Sequence, residues 1–155
     1  MKNIAFALAL FVGILWGIAP IFHKVLLRDI GFKTILVVSS LAYFLCTCIF
    51  ALVFWKDIVK DSKHLNVVNV SVISLVAIVT GFLANLIYFF VLKGSKSYIV
   101  SALIYSSPFF TLIASYLFLK EDITLVGGLG CLLIVMGVVC LAMGDKKEGF
   151  FLRGD

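Results

Sequence analysis

The sequence predicts an all-α integral membrane protein with five transmembrane helices. Composition is the first reason, because 63% of the residues are hydrophobic and only 14% are charged. A soluble domain of this length could not bury that much apolar surface. The second reason is that the hydrophobic residues form runs of about 20, the length at which a helix crosses the bilayer. Five runs qualify: residues 4–23, 34–55, 67–92, 98–119 and 123–143.

These runs favour helices over a transmembrane β-barrel. Barrel strands alternate apolar and polar side chains, whereas these runs are continuously apolar. Helices also satisfy their backbone hydrogen bonds within the segment, as the bilayer requires. We therefore expect one five-helix transmembrane domain over residues 1–143, followed by a short polar tail over residues 144–155.

The distribution of basic residues predicts the orientation. Five crossings place the two termini on opposite sides of the membrane. Of the 13 Lys and Arg residues, five fall on the side of the N-terminus and eight on the other side. The positive-inside rule then favours an external N-terminus and a cytoplasmic C-terminus in the cell (plasma or inner) membrane.

The first run has a face of small and kink-forming residues that ends in positive charge. Gly13, Gly17, Pro20 and Lys24 recur at helical spacing, and Pro20 is expected to kink the helix and free a carbonyl. A freed carbonyl is tolerated where it faces protein or a watery cavity. The stretch 16–24, beginning at Trp16, is therefore a cavity candidate. His23 and Lys24 either snorkel to the headgroups or form a cationic rim for an anionic substrate group.

Scattered polar groups in the middle runs suggest a pathway, although bundle packing explains them about as well. Asn85 is an amide within the bilayer, so we expect it to bond another helix or face water. The fourth run is the most polar, and its hydroxyls could satisfy the carbonyl that Pro108 leaves open. The substrate-pathway candidates are Trp16, Pro20, His23, Lys24, Tyr43, Asn85, Tyr88, Ser101, Tyr105 and Pro108.

The fifth run is expected to serve assembly. Asp122 or Thr124 can cap its N-terminus, where negative groups also suit the helix dipole. Gly127, Gly130 and Gly137 share a face, and small residues let a neighbouring backbone approach closely. We expect this face to be an oligomer contact. The polar link over residues 56–66 is interpreted as a solvated interfacial turn.

Other functions are disfavoured. The basic residues are spread over every loop and form no stripe with interleaved aromatics, so nucleic acid is not an expected partner. No nucleophile constellation or phosphate-binding glycine loop is visible, so we expect neither an enzyme nor a cofactor. The four cysteines all lie within spans, where small apolar packing explains them and a metal site is not expected. No carboxylate lies mid-span to relay a proton or cation.

Two stretches resemble the drug/metabolite transporter superfamily, specifically a single EamA-type five-helix domain. LWGIAPIFHK, residues 15–24, is similar to the family's first-helix Trp-Gly followed by a basic residue. Residues 81–139 are similar to its tyrosine-bearing third helix, fourth-helix proline, following acidic residue and glycine-bearing fifth helix. The matching residues are Tyr88, Gly94, Ser95, Pro108, Glu121, Gly128 and Gly137. Most members of the family carry two such domains in inverted orientation, and this sequence holds one.

The resemblance implies a transporter. Its expected substrates are small amphipathic metabolites that are uncharged, zwitterionic or anionic, since the first run lacks the glutamate of the related four-helix exporters. The expected partners are the lipid bilayer and a second half, in a homodimer or a paired half-transporter. The alternative is a non-transporting membrane subunit that scaffolds or regulates a larger complex.

Overall fold

The computed structural model describes residues 2–145 and is helical throughout its regular structure. Within that range eight α-helices and two π-helical segments follow one another, and no strand is formed. The α-helices are α1 (Lys2–Leu26), α2 (Phe32–Val53), α3 (Trp55–Ser62), α4 (Val67–Val76), α5 (Ala84–Gly94), α6 (Ser97–Ile104), α7 (Ser107–Ala114) and α8 (Leu125–Asp145). The π-helical segments are Ala77–Leu83 and Ser115–Leu119. Beyond Asp145, the tail predicted over residues 144–155 lies outside the described residues.

Five helical stretches are long and apolar enough to cross a membrane, as predicted. They are Ile4–Leu26, Phe32–Val53, Val67–Gly94, Ser97–Leu119 and Leu125–Gly144. Their large apolar side chains are mostly exposed, with Leu52 at 76% and Phe118 at 83%. Such a surface is unfavourable in water and favourable in lipid. The all-α membrane fold is thus confirmed.

Within the described residues, the chain divides into two compact units, Val25–Lys93 and residues 2–24 together with 94–145. In the unit Val25–Lys93, Phe32 and Phe90 meet edge to face with ring centroids 6.1 Å apart. The buried apolar side chains of this unit are Leu27, Ile35, Leu36, Phe89 and Leu92. All of them lie near the start of α2 or the end of α5, so the tight packing of this unit is concentrated at that end.

The other unit is also anchored at one end of its helices. Pro20, Ser95, Ile99 and Val100 are buried there. Lys24 Nζ donates a hydrogen bond of 3.0 Å to the backbone carbonyl of Ser95. This bond ties the last turn of α1 to the segment that leads into α6.

The link after the second span is a helix and not the solvated turn predicted from its charges. The range Trp55–Ser62 forms α3, and Phe54 alone lies between it and the end of α2. The turn prediction gave more weight to the charges than to the helical spacing of the apolar residues between them. Asn66 then caps α4, because its side chain accepts a 2.8 Å hydrogen bond from the Asn69 N–H.

The third span changes geometry in its middle. The stretch Ala77–Leu83 is π-helical, with α4 before it and α5 after it. Asn85 donates its amide to the Gly81 carbonyl, one turn earlier in the same span. The span's own backbone therefore accepts one hydrogen bond of the Asn85 amide, and a bond from this side chain to another helix or to water stays a prediction.

The fourth span is broken next to Pro108, the residue expected to leave a carbonyl open. A turn separates α6 from α7, and Pro108 lies in the first turn of α7. Proline is well placed there, because the N–H that it lacks would have no partner within the helix. The Ser106 hydroxyl donates 2.6 Å to the Leu103 carbonyl. The carbonyl that Pro108 leaves open is that of Ile104, four residues earlier, so its expected bond to a hydroxyl stays a prediction.

Candidate functional site

A cavity of about 470 Å³ lies along the second half of the fourth span and the start of the fifth. All of its walls belong to the unit that contains α6, α7 and α8. Four of its lining residues carry hydroxyls and two carry carboxylates. The lining residues are Ser107, Pro108, Thr111, Leu112, Ser115, Glu121, Asp122, Ile123, Thr124 and Gly127.

The hydroxyls of one wall recur at intervals of four residues. Ser107, Thr111 and Ser115 therefore lie one above the other along the fourth span. The Thr111 hydroxyl donates 3.1 Å to the Ser107 carbonyl. A hydroxyl has one donor and two acceptor lone pairs, so the Thr111 oxygen keeps acceptor capacity for a bound molecule.

The opposite wall is the N-terminus of α8. Thr124 Oγ1 accepts a 3.1 Å hydrogen bond from the Gly127 N–H, so Thr124 caps this helix. This confirms one of the two capping residues that the sequence suggested. A Cβ at Gly127 would come within 3.0 Å of the same oxygen. Glycine at this position therefore leaves room for the cap.

Irregular backbone brings the two carboxylates to the cavity. The fourth span ends in the π-helical segment Ser115–Leu119, and Lys120 follows with a φ of 56° in the left-handed region. A π-helical turn carries more residues per turn than an α-helix and is frequent at functional sites. The left-handed residue then reverses the chain. Glu121 and Asp122 consequently join the lining as the chain turns back towards α8.

A sulfur contact connects the two walls. Cys131 Sγ on α8 lies 3.8 Å from the carbonyl oxygen of Pro108. A thiol is a weak hydrogen-bond donor, so this contact adds little to the stability of the protein. The carbonyl belongs to the first turn of α7, next to the break in the fourth span. The start of α7 and the fifth span are therefore in direct contact at Pro108, which also lines the cavity.

The side chains that line the cavity are mainly hydrogen-bond acceptors. Within the range 2–145, no group of three His, Cys, Asp or Glu side chains is placed to hold a metal ion. Carboxylates and hydroxyl oxygens suit a ligand that donates hydrogen bonds, and Leu112 and Ile123 offer it apolar contact. A small amphipathic molecule matches this lining.

Comparison with known proteins gives the family. The model of the EamA-like transporter family matches residues 3–143. The chain belongs to this family. It is also 32% identical over 141 residues to an uncharacterized protein of Methanocaldococcus jannaschii, an alignment covering 91% of this chain and 98% of the relative. No solved structure gives a significant match.

Membership of the EamA-like transporter family confirms the resemblance found in the sequence. Together with the five apolar helices it identifies the chain as a multi-pass membrane protein. The relative is covered almost end to end by one five-helix unit of this kind. It carries no assigned activity that could be compared with the cavity.

Most pathway candidates of this EamA-family chain lie away from the cavity. Pro108 lines it, and Ser101 and Tyr105 are half-buried on the same span before the break. In α1, Trp16 is 65% exposed and Pro20 is buried, with His23 and Lys24 half-buried one turn further on. Tyr43, Asn85 and Tyr88 belong to the unit Val25–Lys93. The structure therefore gathers only one of the ten candidates into the cavity.

Sequence reasoning missed the main polar lining. Of the ten lining residues, the pathway prediction includes only Pro108, and it assigns Asp122 to the cap of the fifth helix. The signal was present in the spacing of four residues between Ser107, Thr111 and Ser115. What hydropathy could not show is that the start of the fifth span faces this row.

The glycines expected at an oligomer contact divide into two kinds. Gly127 lies in the cavity lining, next to its own cap. Around Gly130 and Gly137, a Cβ would meet nothing within 4 Å. An alanine at either position would therefore fit the packing of the described chain. Their role in assembly stays a prediction.

Proposed function

We propose that the protein is a membrane transporter for small amphipathic metabolites that works as an oligomer with inverted halves. The expected substrates are uncharged, zwitterionic or anionic. The observation that carries the proposal is the hydroxyl-lined cavity along a membrane-spanning helix of an EamA-family chain. Hydroxyl rows in a span that is otherwise apolar suit a molecule that is partly apolar and partly hydrogen-bonding.

The charges of the cavity lining favour some of these substrates over others. Glu121 and Asp122 line the cavity, and they disfavour an anionic group at that end of the fourth span. Near the other end, the cation Lys24 is held against the Ser95 carbonyl. A zwitterion or an uncharged molecule with N–H or O–H donors suits the cavity better than a simple anion.

The inverted pair is supported by the number of spans. A five-helix unit changes sides of the membrane from one end to the other, so two units in opposite orientation can surround a shared site near the midplane. The relative is also about one unit long, which is compatible with halves supplied by separate chains.

A liposome experiment tests the proposal. Ligand classes are first screened by the thermal stability of purified protein, with amino acids as zwitterions, polyols as uncharged molecules and dicarboxylates as anions. A ligand that binds only the folded state raises the melting temperature. We then expect counterflow of the stabilising compound into proteoliposomes. Folded protein that moves no member of any class contradicts the proposal.

Two threonine variants test whether the cavity belongs to the substrate pathway. Thr111→Val removes a cavity hydroxyl with little change in volume, and we expect it to slow counterflow several-fold. Thr80→Val is the matched control, because the Thr80 hydroxyl also bonds its own helix, 2.7 Å from the Val76 carbonyl, but lies outside the cavity lining. Equal slowing by both variants would remove the cavity from the route.

The alternative is a membrane subunit that scaffolds or regulates a larger complex without transporting anything. The exposed space around Gly130 and Gly137 is compatible with a contact to another membrane helix. The same liposomes discriminate the two functions. Ligand-independent assembly with another membrane protein, together with absent counterflow, supports the subunit.

A further inference from the structure

Helix α3 has an apolar face that the rest of the described chain leaves partly exposed. Trp55, Ile58 and Val59 recur at helical spacing and so lie on one side of this eight-residue helix. Their side chains are 61%, 40% and 42% exposed. Three exposed apolar side chains on one face of a short helix are unfavourable in water, so this face requires an apolar environment from outside the chain.

A row of lysines flanks this face. Lys56, Lys60 and Lys63 are spaced by four and three residues and therefore share one side of the helix and its C-cap. All three are exposed. Asp57 and Asp61 recur on the other flank. All three ammonium groups are carried by exposed side chains, where an external anion can reach them.

Connectivity fixes where α3 lies. The second span ends at Val53 and the third begins at Val67, so the segment between them emerges at the surface of the bilayer. Phe54 alone separates α2 from α3, and its ring lies 4.5 Å from that of Phe50 on α2. A junction of one packed residue keeps the start of α3 next to the end of the second span.

We propose that α3 is an interfacial helix that binds a lipid surface rich in anionic headgroups. Its apolar face enters the boundary between headgroups and acyl chains, where the Trp55 ring is well suited to the interface. The lysine row extends to lipid phosphates, because long lysine stems reach the headgroup level while their bodies stay on apolar surface. The aspartates have short side chains and remain on the water side.

The depth of Trp55 tests the first half of this proposal. The full-length protein carrying Trp16→Phe leaves Trp55 as its one tryptophan. In proteoliposomes, lipids brominated near the headgroup should quench Trp55 more than lipids brominated deep in the chain, and aqueous iodide should quench it little. Quenching by iodide alone would place the helix in water. Protection from all quenchers would mean that another protein covers the face. Both results overturn the proposal.

Lipid selection tests the lysine row. Full-length protein is reconstituted into nanodiscs of phosphatidylcholine and phosphatidylglycerol, and the lipid retained after delipidation is measured by mass spectrometry. Combined Lys56→Gln, Lys60→Gln and Lys63→Gln should lower the retained share of phosphatidylglycerol by about twofold or more, and less so at high salt. Asp57→Asn with Asp61→Asn is the control that should not lower it. An unchanged share in the lysine variant contradicts the proposal, and neither result depends on transport.

Discussion

At the residue scale, Thr124 is the polar side chain whose role the structure defines most directly. It accepts the Gly127 N–H and so satisfies one of the four donors that a helix leaves unpaired at its start. We expect Thr124→Ala to lower the stability of the protein by about 1 kcal/mol, the usual cost of a lost cap. Thermal unfolding in detergent measures the change.

Thr124→Ser is the matched control, since it keeps the hydroxyl and should keep most of the stability. Gly127→Ala should behave like the loss of the cap, because its Cβ would come within 3.0 Å of Thr124 Oγ1. If Thr124→Ala melted with the wild type, the hydrogen bond would contribute nothing measurable to the start of α8.

Tyr105 is the pathway candidate best suited to a single-atom test. It is half-buried at the C-terminal end of α6, and its N–H donates 2.8 Å to the Ser101 carbonyl. Tyr105→Phe removes the hydroxyl and keeps both the ring and that backbone bond. If the hydroxyl binds substrate, affinity should fall several-fold, the equivalent of about 1 kcal/mol, with little loss of folded protein.

Tyr116→Phe is the control for this change, because Tyr116 lies on the same span, is 57% exposed and does not line the cavity. Titration of the compound identified in the ligand screen provides the affinities. Equal affinity in wild type and Tyr105→Phe would remove Tyr105 from the pathway.

At the scale of elements, hydropathy predicted the five spans because the signal is local and repeated over 20 or more residues. It did not predict α3, whose eight residues are too short and too charged to stand out, although Trp55, Ile58 and Val59 had helical spacing. The cavity could not be predicted either. It depends on the break before α7, the left-handed Lys120 and the packing of α8, which arise from contacts between elements.

At the scale of elements, we predict that the glycine face of the fifth span (Gly127, Gly130 and Gly137) forms the contact between chains. Gly137→Leu should weaken assembly more than insertion, because leucine is favourable in lipid but separates backbones that glycine lets approach. Outside the adjacent backbone of its own helix, a Cβ at Gly137 would meet no atom within 4 Å, so the first carbon of the new side chain fits the described chain. Crosslinking yield in membranes is the measurement.

Val139→Leu is the control, since it lies two residues further on and about 200° around the helix. It adds bulk to an exposed position, at 49% exposure, outside the glycine face. An undiminished yield of crosslinked Gly137→Leu would show that the glycine face of the fifth span does not form the contact.

At the scale of the whole molecule, the odd number of spans in the described residues bears on how two copies can assemble. A transport route between inverted halves needs a second unit of opposite orientation. The bias of basic residues, eight against five, favours an external N-terminus only modestly and leaves room for both orientations. Lys24 is one of the eight basic residues on the C-terminal side. Its ammonium group is held at the end of α1 by the hydrogen bond to the Ser95 carbonyl.

We therefore predict a dimer that contains both orientations. Mass measurement in lipid nanodiscs should give twice the mass of one chain. In cells, Asp61→Cys on the exposed aspartate flank of α3 should react with a membrane-impermeant maleimide to about half its final extent before permeabilisation, since each inverted pair presents one copy on each side. The native cysteines lie within spans and provide the background, measured in the protein without this substitution. Complete labelling from one side, with a dimer mass, would mean parallel halves. A strictly monomeric species that transports would contradict the need for a second half.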